Sequence, residues 1–323
     1  MDPRLKPDNM YKFVVQRDKE KRRRDFLARK KVGMILRVYA TEENHIPDRV
    51  AMVEEAVVAA RKATVDGRQL IQRIDVLVWA DKDYVEADCG QTAGKLRKKL
   101  RGEPNLFVSE VTCGDLYCGL LNYGISHQTR HGVDYSIIVS AEAFSYMTPE
   151  TMSDMVDAAC KGARAIGVAI KELTDLILAG SIANTFAMWH NESLMTVDGF
   201  DLNAAKPLVG SWDSTIRSIN GFNEQENRVV TYHLAGEEEV IPLARMIRTF
   251  KKFGPCIAPI LPRGKGVQRY QAPDPVKNPD LWLRHISKMG TKAQRQAILL
   301  ALVNADLDFL KSGIMPEYRH KTL

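Results

Sequence analysis

Residues 32–39 read VGMILRVY, a continuous apolar run of the kind that forms a strand buried on both faces of a sheet. A stretch with apolar residues in helical spacing follows over residues 47–62, and a second buried strand, IDVLVWA, over residues 74–80. Alternation of strands and helices predicts a mostly parallel sheet, because parallel strands need a crossover connection and a helix usually supplies it.

The alternation continues through the first half of the chain. Thr148 and Pro149 open one of its helices as cap and first residue. The sequence therefore predicts an α/β fold, a mostly parallel sheet covered by helices on both faces, with ligands at the carboxyl ends of the strands. The further predicted elements are a helix at 91–100, a strand at 105–111, a helix at 117–128, a strand at 135–140 and a last apolar segment at 163–170.

Composition divides the chain of 323 residues into three parts. Residues 1–31 form a basic N-terminal arm, and residues 32–262 form the predicted α/β domain. Residues 263–323 contain a connector rich in Pro and Gly and then two predicted helices, at 280–289 and 293–310.

The positive charge of the chain belongs to the arm. Residues 1–31 hold 12 Lys/Arg against 5 Asp/Glu, a net charge of +7. The whole chain carries +6, so the residues after the arm carry −1 together. The arm is rich in helix formers and is expected to form a charged helix. It either contacts an anionic surface, a nucleic acid or a membrane face, or is an extension that is solvated or packs in an oligomer. We favour the extension, and aromatic residues for stacking on bases are sparse.

Several function classes are disfavoured by what the sequence lacks. No apolar run reaches the roughly 18–20 residues that cross a bilayer, and the basic N-terminus has no apolar signal core. Five scattered cysteines without a CxxC favour reduced thiols. We therefore expect a cytoplasmic protein, with peripheral membrane contact left open.

Three common catalytic and nucleotide-binding motifs are missing from the sequence: GxGxxG, GxxxxGK[ST] and GxSxG. Their absence disfavours dinucleotide binding, P-loop chemistry and serine hydrolysis.

Six motifs in order carry a family resemblance over roughly residues 32–260. Together they resemble glycosyltransferases of the GT-A fold, most closely the large inverting family usually called family 2. The motifs are MILRVYATEEN, IDVLVWADKDYVEADCGQTAGKL, LLNYGI, VSAEAFSYMTPE, GSIANTFAMWHNESLMTVDGFD, and the pair Glu238 and Glu239 followed by Arg245, Gly254 and CIAPI.

The resemblance implies a nucleotide site at the ends of the first two strands. Asp81 would recognise the base or ribose, with Val38, Tyr39 and Ala40 forming the other wall. Asn122 belongs to the motif LLNYGI and is assigned to the same site by resemblance. The residue types alone leave a second interpretation open for Asp81, since Asp commonly caps a turn.

Ser140 and Glu142 hold the position of the family's Asp-x-Asp, which binds Mg²⁺ or Mn²⁺ on the diphosphate of the nucleotide-sugar. One carboxylate with a hydroxyl is a poor site for a hard cation, although Mg²⁺ also binds through one or two carboxylates and substrate phosphates. The sequence thus leaves the cation open. Positive side chains could replace it, and the residues considered are Arg284, His285 and Lys288.

An inverting transfer needs a base for the acceptor hydroxyl. By resemblance this base is Glu239, with Glu238 beside it. The alternative is that the acids of GEEE only favour the positive end of a helix dipole.

Trp189 and His190 could lie under an acceptor ring, although a Trp is more often core. In the same motif, Asp198-Gly199 replaces the family's Gly-Gly.

These observations predict a glycosyltransferase, hexosyltransferase-like, that moves a sugar from a nucleotide-sugar to the hydroxyl of an unknown acceptor, either with a divalent cation or with weak or no dependence on metal. The alternative is a catalytically degenerate relative that keeps the fold as a binding or scaffold protein. That alternative explains the altered Asp-x-Asp and Gly-Gly motifs without special chemistry.

Overall fold

The structure is a computed structural model, which describes residues 7–82, 88–113, 117–168, 182–205, 207–208, 232–233, 237–267, 274–277, 279, 282 and 292–321. Among these residues, seven strands form one sheet, in the order β11-β7-β8-β6-β1-β4-β5, and the other four strands form two small two-stranded sheets. The strands are β1 Val32–Val38, β2 Thr64–Val65, β3 Arg68–Gln69, β4 Ile71–Trp79, β5 Leu106–Val111, β6 Tyr135–Ser140, β7 Ala165–Val168, β8 Ala183–His190, β9 Pro207–Leu208, β10 Tyr232–His233 and β11 Ile257–Ile260.

Helices cover both faces of this sheet. Each predicted strand and helix up to residue 168 is present, with ends within three residues of the prediction where they are described. The predicted fold class, a mostly parallel sheet between helices, is confirmed. The helices are α1 Pro7–Arg29, α2 Ile46–Lys62, α3 Thr92–Lys99, α4 Cys118–Arg130, α5 Pro149–Cys160, α6 Asn191–Thr196, α7 Val240–Phe250, α8 Lys292–Leu302 and α9 Leu307–Ser312.

Within the seven-stranded sheet, β8 is the strand that was not predicted from the sequence. β8 pairs antiparallel with both β6 and β7, whereas the other pairings of the large sheet are parallel. Because β8 is reversed, its last residues lie at the edge of the sheet where the parallel strands begin. His190, its last residue, therefore lies beside Tyr135, the first residue of β6, and not beside the carboxyl ends of the parallel strands.

The central strand β1 is buried on both faces and separates two hydrophobic cores. Met34, Leu36 and Val38 belong to one core, and Ile35 belongs to the other. The alternation follows from the two-residue period of a strand. Arg37 therefore projects on the same face as Ile35, where α4 and α7 pack.

A buried glutamine ties three parallel strands to α4. Gln128 donates to the carbonyl of Met34 on β1 and to Asp75 on β4, both at 2.9 Å, and accepts from Ser136 on β6 at 2.6 Å. Gly33 provides the space, since a Cβ there would lie 2.4 Å from the Gln128 side-chain oxygen. This network fixes how α4 lies on the sheet, because buried polar groups must keep their hydrogen bonds.

The basic arm forms the expected helix, and its C-terminal part packs on the protein. Arg23 donates two hydrogen bonds to Asp157 of α5, at 2.6 and 2.8 Å, and contacts Asp66; Lys19 lies 2.7 Å from Asp157. Burial opposes ionisation of the Asp157 carboxyl, but the hydrogen bonds from Arg23 and Lys19 outweigh it, and the pKa of Asp157 lies below its usual value. Part of the arm's positive charge is thus paired with carboxylates of the same chain.

The last predicted helix, over residues 293–310, is wrong as a single element. The chain forms α8 and α9 instead, because Asn304 adopts a left-handed conformation with φ of 51° and Asp306 caps the second helix by accepting from the Phe309 amide at 2.7 Å. The predicted helix at 280–289 falls largely outside the described residues. Within the described part of the chain, none of the helices has the length and apolar character to cross a bilayer.

We predict that Arg23→Met lowers the free energy of unfolding by about 2–4 kcal/mol, because it leaves a largely buried carboxylate with only the partly exposed Lys19 as a partner. Chemical denaturation would measure the loss. Arg24→Met is the matched control on the exposed side of the same helix and is expected to change stability by less than about 0.5 kcal/mol. Equal losses in the two variants would contradict the assignment of Arg23 as the contact that holds the arm.

Candidate active site

The carboxyl ends of β1, β4 and β6 meet at one edge of the sheet, because these neighbours are parallel. Tyr39 follows β1 and stands edge-on to Trp79, with ring centroids 6.1 Å apart. Asp81 lies two residues past β4 and is partly buried, as is Ser140 at the end of β6. Chain segments that are far apart in sequence thus surround a single edge.

Asp88 joins the ends of β1 and β4 and was not singled out from the sequence. Its carboxylate accepts from the backbone amides of Ala40 and Gly90 at 3.0 Å each, and from the hydroxyl of Thr92. The signal for it was local, since an Asp followed by Gly and Thr before a helix is typical of a cap. Asp88 holds the wall at Tyr39 and Ala40 in place beside the start of α3.

Val38 and Ala40 of the predicted nucleotide wall are almost fully buried. Their side chains therefore support the wall from below, while Tyr39 and Asp81 are partly exposed. The described structure brings these four residues to the same edge, as the sequence predicted. Their role in binding a nucleotide stays a prediction.

Ser140 ends β6 with Arg37 of β1 as its partner in the parallel ladder. Glu142 follows in a short 3-10 helix, Ala141–Tyr146, and its side chain lies outside the described residues. The described residues contain no cluster of three or more His, Cys, Asp and Glu side chains that could hold a metal ion. The residue paired with Ser140 on the neighbouring strand is the positively charged Arg37.

Three consecutive glutamates precede α7, all deeply buried: Glu237 at 0%, Glu238 at 4% and Glu239 at 2% exposure. Glu238 accepts from Arg37 at 3.4 Å, between residues 201 positions apart in the chain. The helix itself begins at Val240. The dipole interpretation placed these acids in the first turn of the helix. They lie just before that turn, with Glu239 as the N-cap.

The first of these glutamates is bound by the C-terminal part of the chain. Glu237 accepts from Gln296 at 2.9 Å and lies 3.3 Å from Arg295, both on α8. Neither residue was singled out from the sequence, because both stand among the polar residues at the start of the helix, KAQRQ. The contact makes α8 a support for the acidic segment.

The side chain of Asn122, a predicted nucleotide-binding residue, is hydrogen-bonded to the backbone of Phe200. Its amide accepts from the Phe200 N–H and donates to the Phe200 carbonyl, both at 2.7 Å. Asp198 and Gly199 both adopt left-handed conformations, with φ of 65° and 68°, which explains why glycines suit these two positions. Arg245 completes the support by donating to Asp201 at 2.6 Å.

Trp189 and His190 lie at the opposite edge of the sheet. His190 pairs with Tyr135, the first residue of β6, because β8 is antiparallel. Trp189 is fully buried and stacks edge-on against Phe200, which supports its interpretation as core. Burial and the neighbouring Arg164 lower the pKa of His190. The structure therefore does not bring these two residues to the edge that holds Ser140.

The remaining predicted basic residues are Arg284, His285 and Lys288, and all three lie outside the described residues. The described chain supplies a different cation at the edge, Arg37. Its signal was visible in VGMILRVY, where a single arginine interrupts an apolar strand.

No protein-family model and no curated protein sequence matches the chain. Solved structures similar to it include glucosyl-3-phosphoglycerate synthase from Mycobacterium tuberculosis, in complex with Mn²⁺, UDP and phosphoglyceric acid, at 13% identity and a TM-score of 0.47; the alignment covers 89% of this chain and 83% of that chain. A mannosyltransferase from Pyrobaculum calidifontis in complex with GDP-mannose and Mn²⁺ is similar at 15% identity and a TM-score of 0.38, over 85% of this chain and 75% of that chain.

Proposed function

We propose that the protein is a glycosyltransferase that moves a sugar from a nucleotide-sugar to an acceptor hydroxyl. The observation that carries the proposal is the meeting of Arg37 with Ser140 and Glu238 at the carboxyl edge of the sheet. These residues come from three of the motifs on which the sequence resemblance rests. Their convergence at the edge where α/β folds bind ligands supports a site for a nucleotide-linked substrate.

The donor nucleotide lies against Tyr39 and Asp81 in this proposal. Tyr39 offers a partly exposed ring for the base, and the Asp81 carboxylate accepts a hydrogen bond from the base or the ribose. Asp88 keeps the wall in place by its bonds to the amides of Ala40 and Gly90. The diphosphate then extends toward Ser140.

Glu239 acts as the base in the proposed transfer. The acceptor oxygen attacks the anomeric carbon while its proton passes to the Glu239 carboxylate, and the bond from that carbon to the diphosphate breaks with its electron pair leaving on the phosphate oxygen. Glu238 is less suited to this role, because Arg37 already donates to it. Burial of Glu239 excludes water from the proton transfer.

We expect titration calorimetry to detect binding of UDP or GDP to the full-length protein. Asp81→Asn should weaken it about 10-fold, because a hydrogen bond to a charged group contributes about 1.5–3 kcal/mol. Asp308→Asn, an exposed aspartate on α9, is the control that should bind like the wild type. Failure of the wild type to bind either nucleotide, with or without Mn²⁺, would exclude the proposal.

Glu239→Gln should lower sugar transfer or nucleotide-sugar hydrolysis by about 10²–10⁴-fold, since it removes the base. Nucleotide affinity should stay within about threefold of the wild type. The control is Glu192→Gln, which makes the same change in the first turn of α6 at the opposite edge of the sheet. Unchanged turnover in Glu239→Gln would remove this residue from the mechanism, and nucleotide binding without turnover in the wild type would favour the degenerate binding protein.

Asn122→Ala should destabilise the protein by about 1–3 kcal/mol, because it leaves the Phe200 N–H and carbonyl without their partner. If Asn122 supports backbone only, the affinity of the folded variant for UDP or GDP stays within about twofold of the wild type. Thermal denaturation and calorimetry on the same preparation would measure both quantities. Lost nucleotide affinity at unchanged stability would instead restore Asn122 to the nucleotide site.

A further inference from the structure

Arg37 is a charged residue near the end of an apolar central strand. Its partners in the two parallel ladders are Leu77 on β4 and Ser140 on β6. Residues in register on neighbouring parallel strands project on the same face, about 4.8 Å apart at the backbone. The guanidinium of Arg37 and the hydroxyl of Ser140 therefore share one face of the sheet at its ligand-binding edge.

The residues at this position do not fit a divalent cation. Mg²⁺ and Mn²⁺ prefer carboxylate oxygens, and the first of the two positions for them holds the neutral hydroxyl of Ser140. The neighbouring side chain is the permanent cation Arg37, which repels a divalent ion and lowers its affinity. The change from acid to hydroxyl and the presence of Arg37 act in the same direction, since both make the site favourable for an anion.

The guanidinium has hydrogen-bonding capacity left. Among the described residues, Glu238 is the single polar partner, through one long hydrogen bond of 3.4 Å, and the Tyr117 ring lies 5.9 Å away. The side chain is only 14% exposed and carries five N–H donors. A largely buried guanidinium with one long hydrogen bond is poised for a further acceptor.

Glu238 shows why the arginine stays at the edge. Its Oε1 accepts from Arg37, while its Oε2 is buried without a hydrogen-bond partner among the described residues. A buried carboxylate with an open oxygen requires a positive neighbour. Glu238 therefore holds Arg37 in place from one side and leaves the other side of the guanidinium for a ligand.

Resting on the proposed function, we propose that Arg37 binds the diphosphate of the nucleotide-sugar and takes the place of the divalent cation. The planar guanidinium donates to two phosphate oxygens in the bidentate geometry that suits phosphate. As the bond between the anomeric carbon and the diphosphate breaks, negative charge develops on the leaving oxygen and Arg37 stabilises it. Glu239 receives the acceptor proton, and Glu238 acts as a positioning residue.

The test is titration calorimetry of the full-length protein with uridine, UMP and UDP, and with the guanosine series, each with EDTA or with Mn²⁺. Wild-type affinity for the diphosphate should change by less than about threefold between EDTA and Mn²⁺. Arg37→Met should weaken diphosphate binding by about 10- to 100-fold and leave nucleoside binding unchanged, because only the diphosphate reaches the guanidinium. Arg37→Lys should recover part of the loss, since it restores the charge without the fork.

Arg164→Met is the matched control, because this partly buried arginine lies at the opposite edge of the sheet against Phe250. If Arg37→Met does not fold with Glu238 unpaired, the double variant Arg37→Met with Glu238→Gln removes both charges and serves in its place. Equal weakening of nucleoside and diphosphate would show a structural role for Arg37, and strict dependence of diphosphate binding on Mn²⁺ would also overturn the inference. Both results leave the proposed function standing, whereas absence of any nucleotide binding by the wild type would remove the proposed function itself.

Discussion

The parallel pairing of β1 with β4 on one side and β6 on the other is the constraint on which the rest of the structure depends. It buries β1 on both faces, so that its side chains alternate between two hydrophobic cores. It also brings the ends of three strands to one edge, in register. Gln128 locks this register by bonding to all three strands, and Gly33 makes the close approach of α4 possible. A shift of one residue would turn Arg37 into a core and Leu36 toward the site.

The acidic segment before α7 reaches this edge because the chain supports it from two directions. Arg37 contacts Glu238 from the sheet, and Arg295 with Gln296 contacts Glu237 from α8. α8 thus supports the candidate site, although composition assigned it to an extension after a connector. Buried carboxylates require such partners, because desolvation of an unpaired charge costs several kcal/mol.

Much of the fold could be predicted from local pattern. The continuous apolar runs predicted the buried strands, and Thr148 with Pro149 predicted the start of α5, where the Thr148 hydroxyl accepts from the Thr151 amide at 3.2 Å. β8 was missed because its direction depends on pairing with β6 and β7, which no local pattern contains. For the same reason the sequence does not show that Trp189 and His190 lie at the edge opposite to Ser140. Asn122 was assigned by its motif, and only the fold shows its amide bound to the backbone of Phe200.

The sequence by itself determined the class of fold, the order of its elements and the positions at which polar residues follow the strands. These properties are local, since they depend on the period of apolar residues and on capping chemistry. The tertiary structure alone decided which polar residues meet: Arg23 with Asp157 between the arm and α5, and Arg37 with Ser140 and Glu238 at the edge. The physical reason is that an ion pair between residues 201 positions apart in the chain depends on strand register and helix packing, which arise only when the whole sheet has formed.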